Sequence, residues 1–498
     1  MSKFELGKKQ ITLEDVYLVA TTSVEVTLAE VAKKRIKKAH TYLQKKARSG
    51  DVIYGVNTGF GLLSNVKIPE NDIAKLQLNL LRSHAVGTGA PLSRDKVRAM
   101  VFLRAATLTQ GHSGTNVATV QALINLLNHD VTPWIPEQGS VGASGDLSPL
   151  AHLALVLIGE GKAYYKEKLI SGALALKQAG LTPVTLGVKE GLALINGTQF
   201  MAALATFAVL ESEQLMRVGN LSGAMTLEAL RGTVAAFDPK IHAVRPHPGQ
   251  IEVAKFLREI LIHPKPSEIA TSHLNCDRVQ DPYSLRCIPQ VHGASLETIR
   301  FVRTIVEREI NSVTDNPLIF VDEDEILSGG NFHGQYLALA MDYLAIAMAE
   351  MASISEQRIE KLINPAISDL PAFLMKKSGI NSGFMIVQVA AASIVSENKT
   401  LCHPASVDTI PTSADKEDHV SMGAWAARKC LTVIENTRRV LSMEMMAGSQ
   451  GIDLLRPLKS TARLEKLHAE IRKHIPYFDE DAPFYEAIEK MVALTYTW

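Results

Sequence analysis

The stretch Leu337-Ala338-Leu339-Ala340-Met341-Asp342-Tyr343-Leu344-Ala345-Ile346-Ala347-Met348-Ala349-Glu350-Met351 decides the fold class. Its Leu337, Met341, Leu344, Met348 and Met351 recur at spacings of four, three, four and three, the seam of helices that pack along their length. Leu296, Ile299, Val302, Val306 and Ile310 make a second apolar face, and Ala427, Leu431, Ile434, Leu441 and Met445 a third. Methionine in such stripes is flexible core filler. The expectation is a mainly α protein, a long-helix bundle with more seams than one core needs, so that subunits pack helix on helix. Asp342 and Glu350 make the segment from Leu337 to Ile354 a poor membrane span.

Outward from these helices the patterning changes. Up to about residue 110 short elements mix with turns, giving an expected division into a mixed region 1–110 and an all-helical region 111–498. Thr12-Leu13-Glu14-Asp15 reads as a helix start, and Val52-Ile53-Tyr54 as a short strand entering a Gly-rich turn. Leu318-Ile319-Phe320-Val321 and Glu325-Ile326-Leu327, separated by an acidic turn, read as a hairpin.

The chain has 498 residues, with 52 basic and 52 acidic side chains, a balance that favours neither nucleic acid nor a membrane surface as partner. Four cysteines are too few for a disulfide framework, and the first nine residues lack an apolar signal core, so a cytoplasmic, soluble protein is expected.

The string from Gly139 to Leu150, Gly-Ser-Val-Gly-Ala-Ser-Gly-Asp-Leu-Ser-Pro-Leu, carries unusual chemistry. In Ala143-Ser144-Gly145 the Gly145 nitrogen can approach the Ala143 carbonyl, because glycine lacks the Cβ that opposes such turns. Ring closure and loss of water would leave a methylidene-imidazolone, an electrophile made from the chain itself. The plainer reading is a turn before a helix, with Ser148 as N-cap and Pro149 at the first helical position.

Other clusters offer partners for such a group. Tyr54, in a turn with Gly55, Gly59 and Gly61, can act as a phenolate base or be half-buried packing; the glycine spacing is no dinucleotide fingerprint. His84 precedes a Gly-rich turn. Asn196 lies at a turn that opens a helix, as cap, left-handed residue or amide donor. Arg286 can clamp a carboxylate, with Tyr283 three residues earlier. His273, Cys276, Cys287 and His292 imitate a zinc site only loosely, and no metal is expected. Ser413 reads as a helix cap with acids in the first turn, of which Glu417 can instead pair with a substrate ring.

Taken together, these strings resemble the aromatic amino acid ammonia-lyases nearly end to end. Ser83-His84 and Glu417-Asp418-His419-Val420-Ser421-Met422 point to the branch acting on histidine, since branches acting on phenylalanine or tyrosine have no carboxylate at the position of Glu417. Arg278-Val279-Gln280-Asp281-Pro282-Tyr283-Ser284-Leu285-Arg286 and Ser328-Gly329-Gly330-Asn331-Phe332-His333 support the resemblance, while Asp415-Lys416 departs from the Asn-Gln common there.

The resemblance implies an aspartase/fumarase-like architecture and a homotetramer with shared active sites. It also implies a 4-methylidene-imidazol-5-one group formed from Ala143, Ser144 and Gly145, without external cofactor or metal. The implied reaction takes L-histidine to trans-urocanate and ammonia, the first step of histidine degradation, with the amine or the imidazole attacking the electrophile. Tyr54 and Glu417 are both candidates for the base. Arg286 would hold the carboxylate, with Tyr283 and Gln280 lining the site. His84 and Glu417 would recognise the imidazole, Asn196 would bond the prosthetic group, and Phe332 would pack beside it. The alternative is a tyrosine or phenylalanine ammonia-lyase, or a 2,3-aminomutase, with the same group.

Overall fold

The Leu337–Met351 seam lies within the 29-residue helix Gln335–Ile363, and its five apolar residues are fully buried. A computed structural model describes residues 3–49, 52–273 and 279–498 of the chain. Asp51 of the Tyr54 turn, Cys276 of the zinc-like spacing and Arg278 of the Gln280 string lie outside them. The protein is mainly helical, and four helices exceed 20 residues among the described ones: Gln199–Ala229, Ile288–Ile310, Gln335–Ile363 and Gly423–Leu454. Helix Gln335–Ile363 is also long and apolar enough to cross a membrane by composition, with 67% of its most apolar window buried inside the protein. Its Asp342 is satisfied internally, accepting from the Ala405 and Ser406 amides at 3.1 and 2.8 Å.

The chain forms two compact units, each discontinuous in sequence. The first comprises Met1–Phe207, Arg303–Asp342 and Pro404–Arg428; the second comprises Ala208–Val302, Tyr343–His403 and Lys429–Trp498. The change of patterning at residue 110 falls inside the first.

In the first unit, Thr12 caps helix Leu13–Thr21 in a reciprocal capping box with Asp15. The other end of that helix is held by Arg98, whose buried guanidinium donates to the Val19, Ala20, Thr22 and Leu127 carbonyls. Strands Lys3–Leu6 and Glu25–Leu28 pair in parallel, and Leu318–Phe320 with Glu325–Leu327 forms the expected hairpin. Val52-Ile53-Tyr54 is not a strand: the Ile53 amide bonds the Asn57 side chain and the Ile53 carbonyl accepts from Val56 and Asn57, folding the segment into turns.

In the second unit a buried polar knot ties four helices together. Arg358 grips Glu444 through two bonds of 2.5 and 2.7 Å, and both side chains are inaccessible to solvent. Ser222, Thr226 and Ser355 donate their hydroxyls to the same carboxylate. His292 meets the guanidinium at 3.5 Å. A buried ion pair is stable only when such bonds fill its remaining positions, and removing one partner strands the other charge. Arg358→Met is therefore expected to destabilise the protein by about 3–5 kcal/mol, seen as a lower denaturation midpoint with unchanged slope in urea.

Candidate active site

The Ala143-Ser144-Gly145 segment is shaped by glycines at positive φ, +68° at Gly142 and +72° at Gly145. A Cβ at Gly145 would stand 2.3 Å from the Gly197 carbonyl oxygen, so no other residue fits there. Gly145 and Gly197 pair as a short parallel bridge, and the Asp146 amide donates to the Gly197 oxygen at 2.7 Å. The following helix is Leu147–Leu157, so the residue before it is Asp146. Ser148 is not its cap, and Pro149 sits at the third helical position. Asp146 faces inward, accepting from Ser140 Oγ and the Met201 amide. Burial pushes its carboxyl up to about 7, against the pull of those bonds.

Asn196 ends helix Glu190–Ile195 in extended conformation, with helix Gln199–Ala229 starting three residues on. Its Nδ2 donates to the Ser144 carbonyl oxygen at 2.9 Å, while its buried Oδ1 has no partner. Ser144 Oγ donates to Glu417 Oε1 at 2.7 Å.

Glu417 belongs to no helix. Thr412 and Glu417 exchange backbone bonds across a tight turn, in which Ser413, Ala414 and Asp415 all hold positive φ of 52–61°. Ser413 is thus not a helix cap. Non-glycine residues in this region carry strain, three in succession here. The turn aims the Thr412 and Ser413 hydroxyls at Glu417 Oε2, at 2.7 and 2.9 Å. Burial works to raise the Glu417 titration, but the hydroxyls of Thr412, Ser144 and Ser413, with His84 nearby, outweigh it and hold the carboxyl below the usual range.

His84 is the last residue of helix Ile73–His84. Its Nδ1 lies 2.8 Å from the Leu80 carbonyl, which can only accept, so Nδ1 carries the proton. Burial holds the imidazole below its ordinary value, which leaves Nε2 bare at neutral pH.

These residues share one cavity of about 870 Å³. Tyr54, His84, Ser144, Asn196, Phe332 and Glu417 all line it, together with Phe60 and a wall of Leu76, Leu80 and Leu192. The Tyr54 ring meets Phe60 edge-on, with centroids 6.4 Å apart. The Phe332 and Glu417 loops are joined by His333, stacked on His419 and bonded to its carbonyl at 3.1 Å. Gln280, Tyr283 and Arg286 belong to the second unit and are not among the lining residues. There the Arg286 guanidinium lies over the Tyr283 ring at 4.6 Å, and Tyr283 is 71% exposed.

Sequence reading missed Thr412 and Asn316, which enter as a Glu417 donor and a lining residue. Two hydroxyl residues after Pro411 and shortly before a carboxylate were the available signal for the first. Among the described residues, no three His, Cys, Asp or Glu side chains gather as a metal would require.

The family described as aromatic amino acid lyase matches residues 11–473. The chain belongs to the aromatic amino acid lyase family. Its architecture is the aspartase/fumarase-like fold of that family. Among relatives within this lyase family, the histidine ammonia-lyase of Anaeromyxobacter dehalogenans is 50% identical over 99% of this chain and 98% of its own. The crystal structure of histidine ammonia-lyase from Trypanosoma cruzi superposes with a TM-score of 0.92 at 44% identity, covering 100% of this chain and 94% of that one. The phenylalanine aminomutase of Pantoea agglomerans gives a TM-score of 0.93 at 33% identity, covering 99% and 98%.

The prosthetic group for which this lyase family is known fits the residues present. Gly145 leaves room for close backbone approach, Asn196 donates to the oxygen that would become the ring carbonyl, and the unpartnered Asn196 Oδ1 leaves a polar position in the wall.

Proposed function

We propose that this protein eliminates ammonia from L-histidine to give trans-urocanate, using a 4-methylidene-imidazol-5-one formed from Ala143, Ser144 and Gly145. The observation that carries the reading is the Glu417 carboxylate bonded to Ser144 in the cavity that His84 lines. An ionised carboxylate and a bare imidazole nitrogen are both acceptors, suited to a substrate ring that offers N–H groups and wasted on a phenyl ring. The histidine-acting names among relatives at about half identity support the same substrate.

The chemical difficulty is that the β-hydrogen of histidine is weakly acidic and an amine leaves poorly. When formed, the prosthetic group supplies the electrophile that activates the substrate for loss of ammonia. Asn196 steadies the Ser144 carbonyl oxygen, where negative charge would gather. Tyr54 takes the β-proton, with Glu417 as the other candidate, and Phe332 packs against the reacting face. Arg286 binds the substrate carboxylate bidentately, aided by Tyr283 and Gln280. We assign these three to a neighbouring copy in a homotetramer with shared sites, in keeping with the exposed Tyr283. The reaction would open histidine breakdown in the cytoplasm.

A second reading keeps the prosthetic group and changes the substrate. The apolar wall of Leu76, Leu80 and Leu192 and the likeness to a phenylalanine aminomutase favour an aryl ring. Ultraviolet absorbance after mixing with L-histidine, L-phenylalanine and L-tyrosine in parallel separates the two. Urocanate from histidine alone is expected. Cinnamate, coumarate or a β-amino acid would overturn the assignment of His84 and Glu417.

A further inference from the structure

Arg104 stands behind the Asn196–Gly197 turn, on helix Arg94–Leu108, and is completely buried. Its bonds go to amide oxygens rather than to a carboxylate. Nη1 donates to the Asn196 carbonyl at 3.0 Å and to Gln199 Oε1 at 2.6 Å, and Nη2 donates to the Ala193 carbonyl. These carbonyls belong to the last turn of helix Glu190–Ile195, where helix geometry leaves oxygens without internal partners. The approach is so close that a Cβ on Gly197 would lie 2.3 Å from Nη1. Gln199 is itself held, donating to Thr314 Oγ1 at 2.8 Å and Thr107 Oγ1 at 3.1 Å. Burial of a cation this deep opposes its charge, lowering its titration to about 10, and yet leaves it protonated at neutral pH.

From the turn so fixed, two bonds run forward. The Asn196 amide reaches the Ser144 oxygen, and the Gly197 oxygen takes the Asp146 amide. They grip the reacting tripeptide on either side of Gly145. Arg104 itself is not among the residues lining the cavity.

We infer that Arg104 is a positioning residue: through Asn196 and Gly197 it sets the Ser144-Gly145-Asp146 backbone for ring closure and later steadies the ring oxygen. The inference rests on the proposed reading that Ala143-Ser144-Gly145 cyclises. In that closure the Gly145 nitrogen bonds the Ala143 carbonyl carbon. The carbonyl oxygen departs as water with the hydrogens of the Gly145 and Ser144 nitrogens. Ser144 then loses its α-hydrogen and its hydroxyl as a second water. The first step needs the nitrogen held at the carbonyl, and small displacements are costly in such intramolecular attacks. A lysine at 104 keeps the charge but presents one ammonium where a planar fork spans three oxygens.

The test compares wild type, Arg104→Lys and the milder Thr314→Val, which removes one of the two hydroxyls that hold Gln199. Each full-length protein is measured by intact mass, by melting and by steady-state kinetics on L-histidine. The expected result for Arg104→Lys is incomplete loss of the two waters, or kcat lower by roughly 10²-fold. KM should stay within about twofold, because Arg104 does not meet the substrate. Thr314→Val should move the same readouts less. Full dehydration and wild-type kcat in both variants, even with lowered melting, would overturn the inference and leave Arg104 a packing residue. If Arg104→Lys does not fold, Thr314→Val decides alone. Wild-type protein at its full unmodified mass would instead sink the reading of the site, and this inference with it.

Discussion

Replacing Ser144 by alanine is expected to abolish turnover while leaving the helices in place. Ser144 is the residue whose Cβ would become the methylidene carbon, and alanine has no hydroxyl to lose as water. With the electrophile gone, the amine must depart from an unactivated substrate, and we expect the rate to fall by 10³-fold or more, about 4 kcal/mol of barrier. The structural cost is small by comparison. Ser144 Oγ makes one hydrogen bond, to Glu417 Oε1, in a partly buried setting. That bond belongs to the uncyclised chain and is given up in any case when the hydroxyl leaves as water. Its absence therefore costs the variant at most on the order of 1 kcal/mol, and Glu417 keeps Thr412 and Ser413 as donors. The measurements are urocanate absorbance, intact mass and far-ultraviolet circular dichroism on one preparation. Wild-type activity in Ser144→Ala would end the mechanism. An unfolded variant would mean that Ser144 is chiefly structural.

The helices were legible because their signal is local and repeated. The 4-3-4-3 spacing from Leu337 to Met351 needs no knowledge of partners, and each of its residues is buried as read. The hairpin at Leu318 and the capping box at Thr12 are likewise short-range patterns. The failures are of another kind. Ser413 before a run of acids fits a helix start, yet three consecutive left-handed residues build a turn that serves Glu417. Propensity gave no warning, since these conformations are paid for by tertiary contacts. Ser148-Pro149 misled in the same way: Asp146 precedes the helix because its amide and carboxylate are engaged by Gly197, Ser140 and Met201, all distant or non-helical. Resemblance names six of the residues that line the cavity, Tyr54, His84, Ser144, Asn196, Phe332 and Glu417, but not Asn316 or the wall of Leu76, Leu80 and Leu192. What no pattern could supply is that Asn196 points at the Ser144 oxygen and that Arg104, ninety-two positions earlier, holds it there. Such contacts are set by how helices pack, and packing is not written in any single window of sequence.

Substituting Glu417 by glutamine should separate recognition from folding. The amide is nearly isosteric, and its oxygen can still accept from Thr412 and Ser413, so the strained turn keeps two of its restraints. We expect a stability change within about 1 kcal/mol. Catalysis should suffer far more. Before ring closure, burial works to raise the Glu417 titration and the hydroxyls of Thr412, Ser144 and Ser413 outweigh it, holding the carboxyl below its usual range. The Thr412 and Ser413 bonds remain after the Ser144 hydroxyl has left. A carboxylate facing a substrate imidazole accepts an N–H bond strengthened by charge, and gains further as positive charge develops on the ring. Glutamine offers only a neutral acceptor and adds a donor directed at a site built from acceptors, His84 Nε2 among them. The expected loss in kcat/KM on L-histidine is roughly 10²–10³-fold, equivalent to about 3–4 kcal/mol of transition-state stabilisation. If Glu417 is also the base, the fall should be concentrated in kcat; if it serves only to hold the ring, KM should rise as well. Intact mass should still be two waters light in the variant, since the cyclising tripeptide keeps its Asn196 and Gly197 restraints. Lowered melting with normal activity would return Glu417 to the role of a turn residue, and the case for histidine would then rest on the relatives alone.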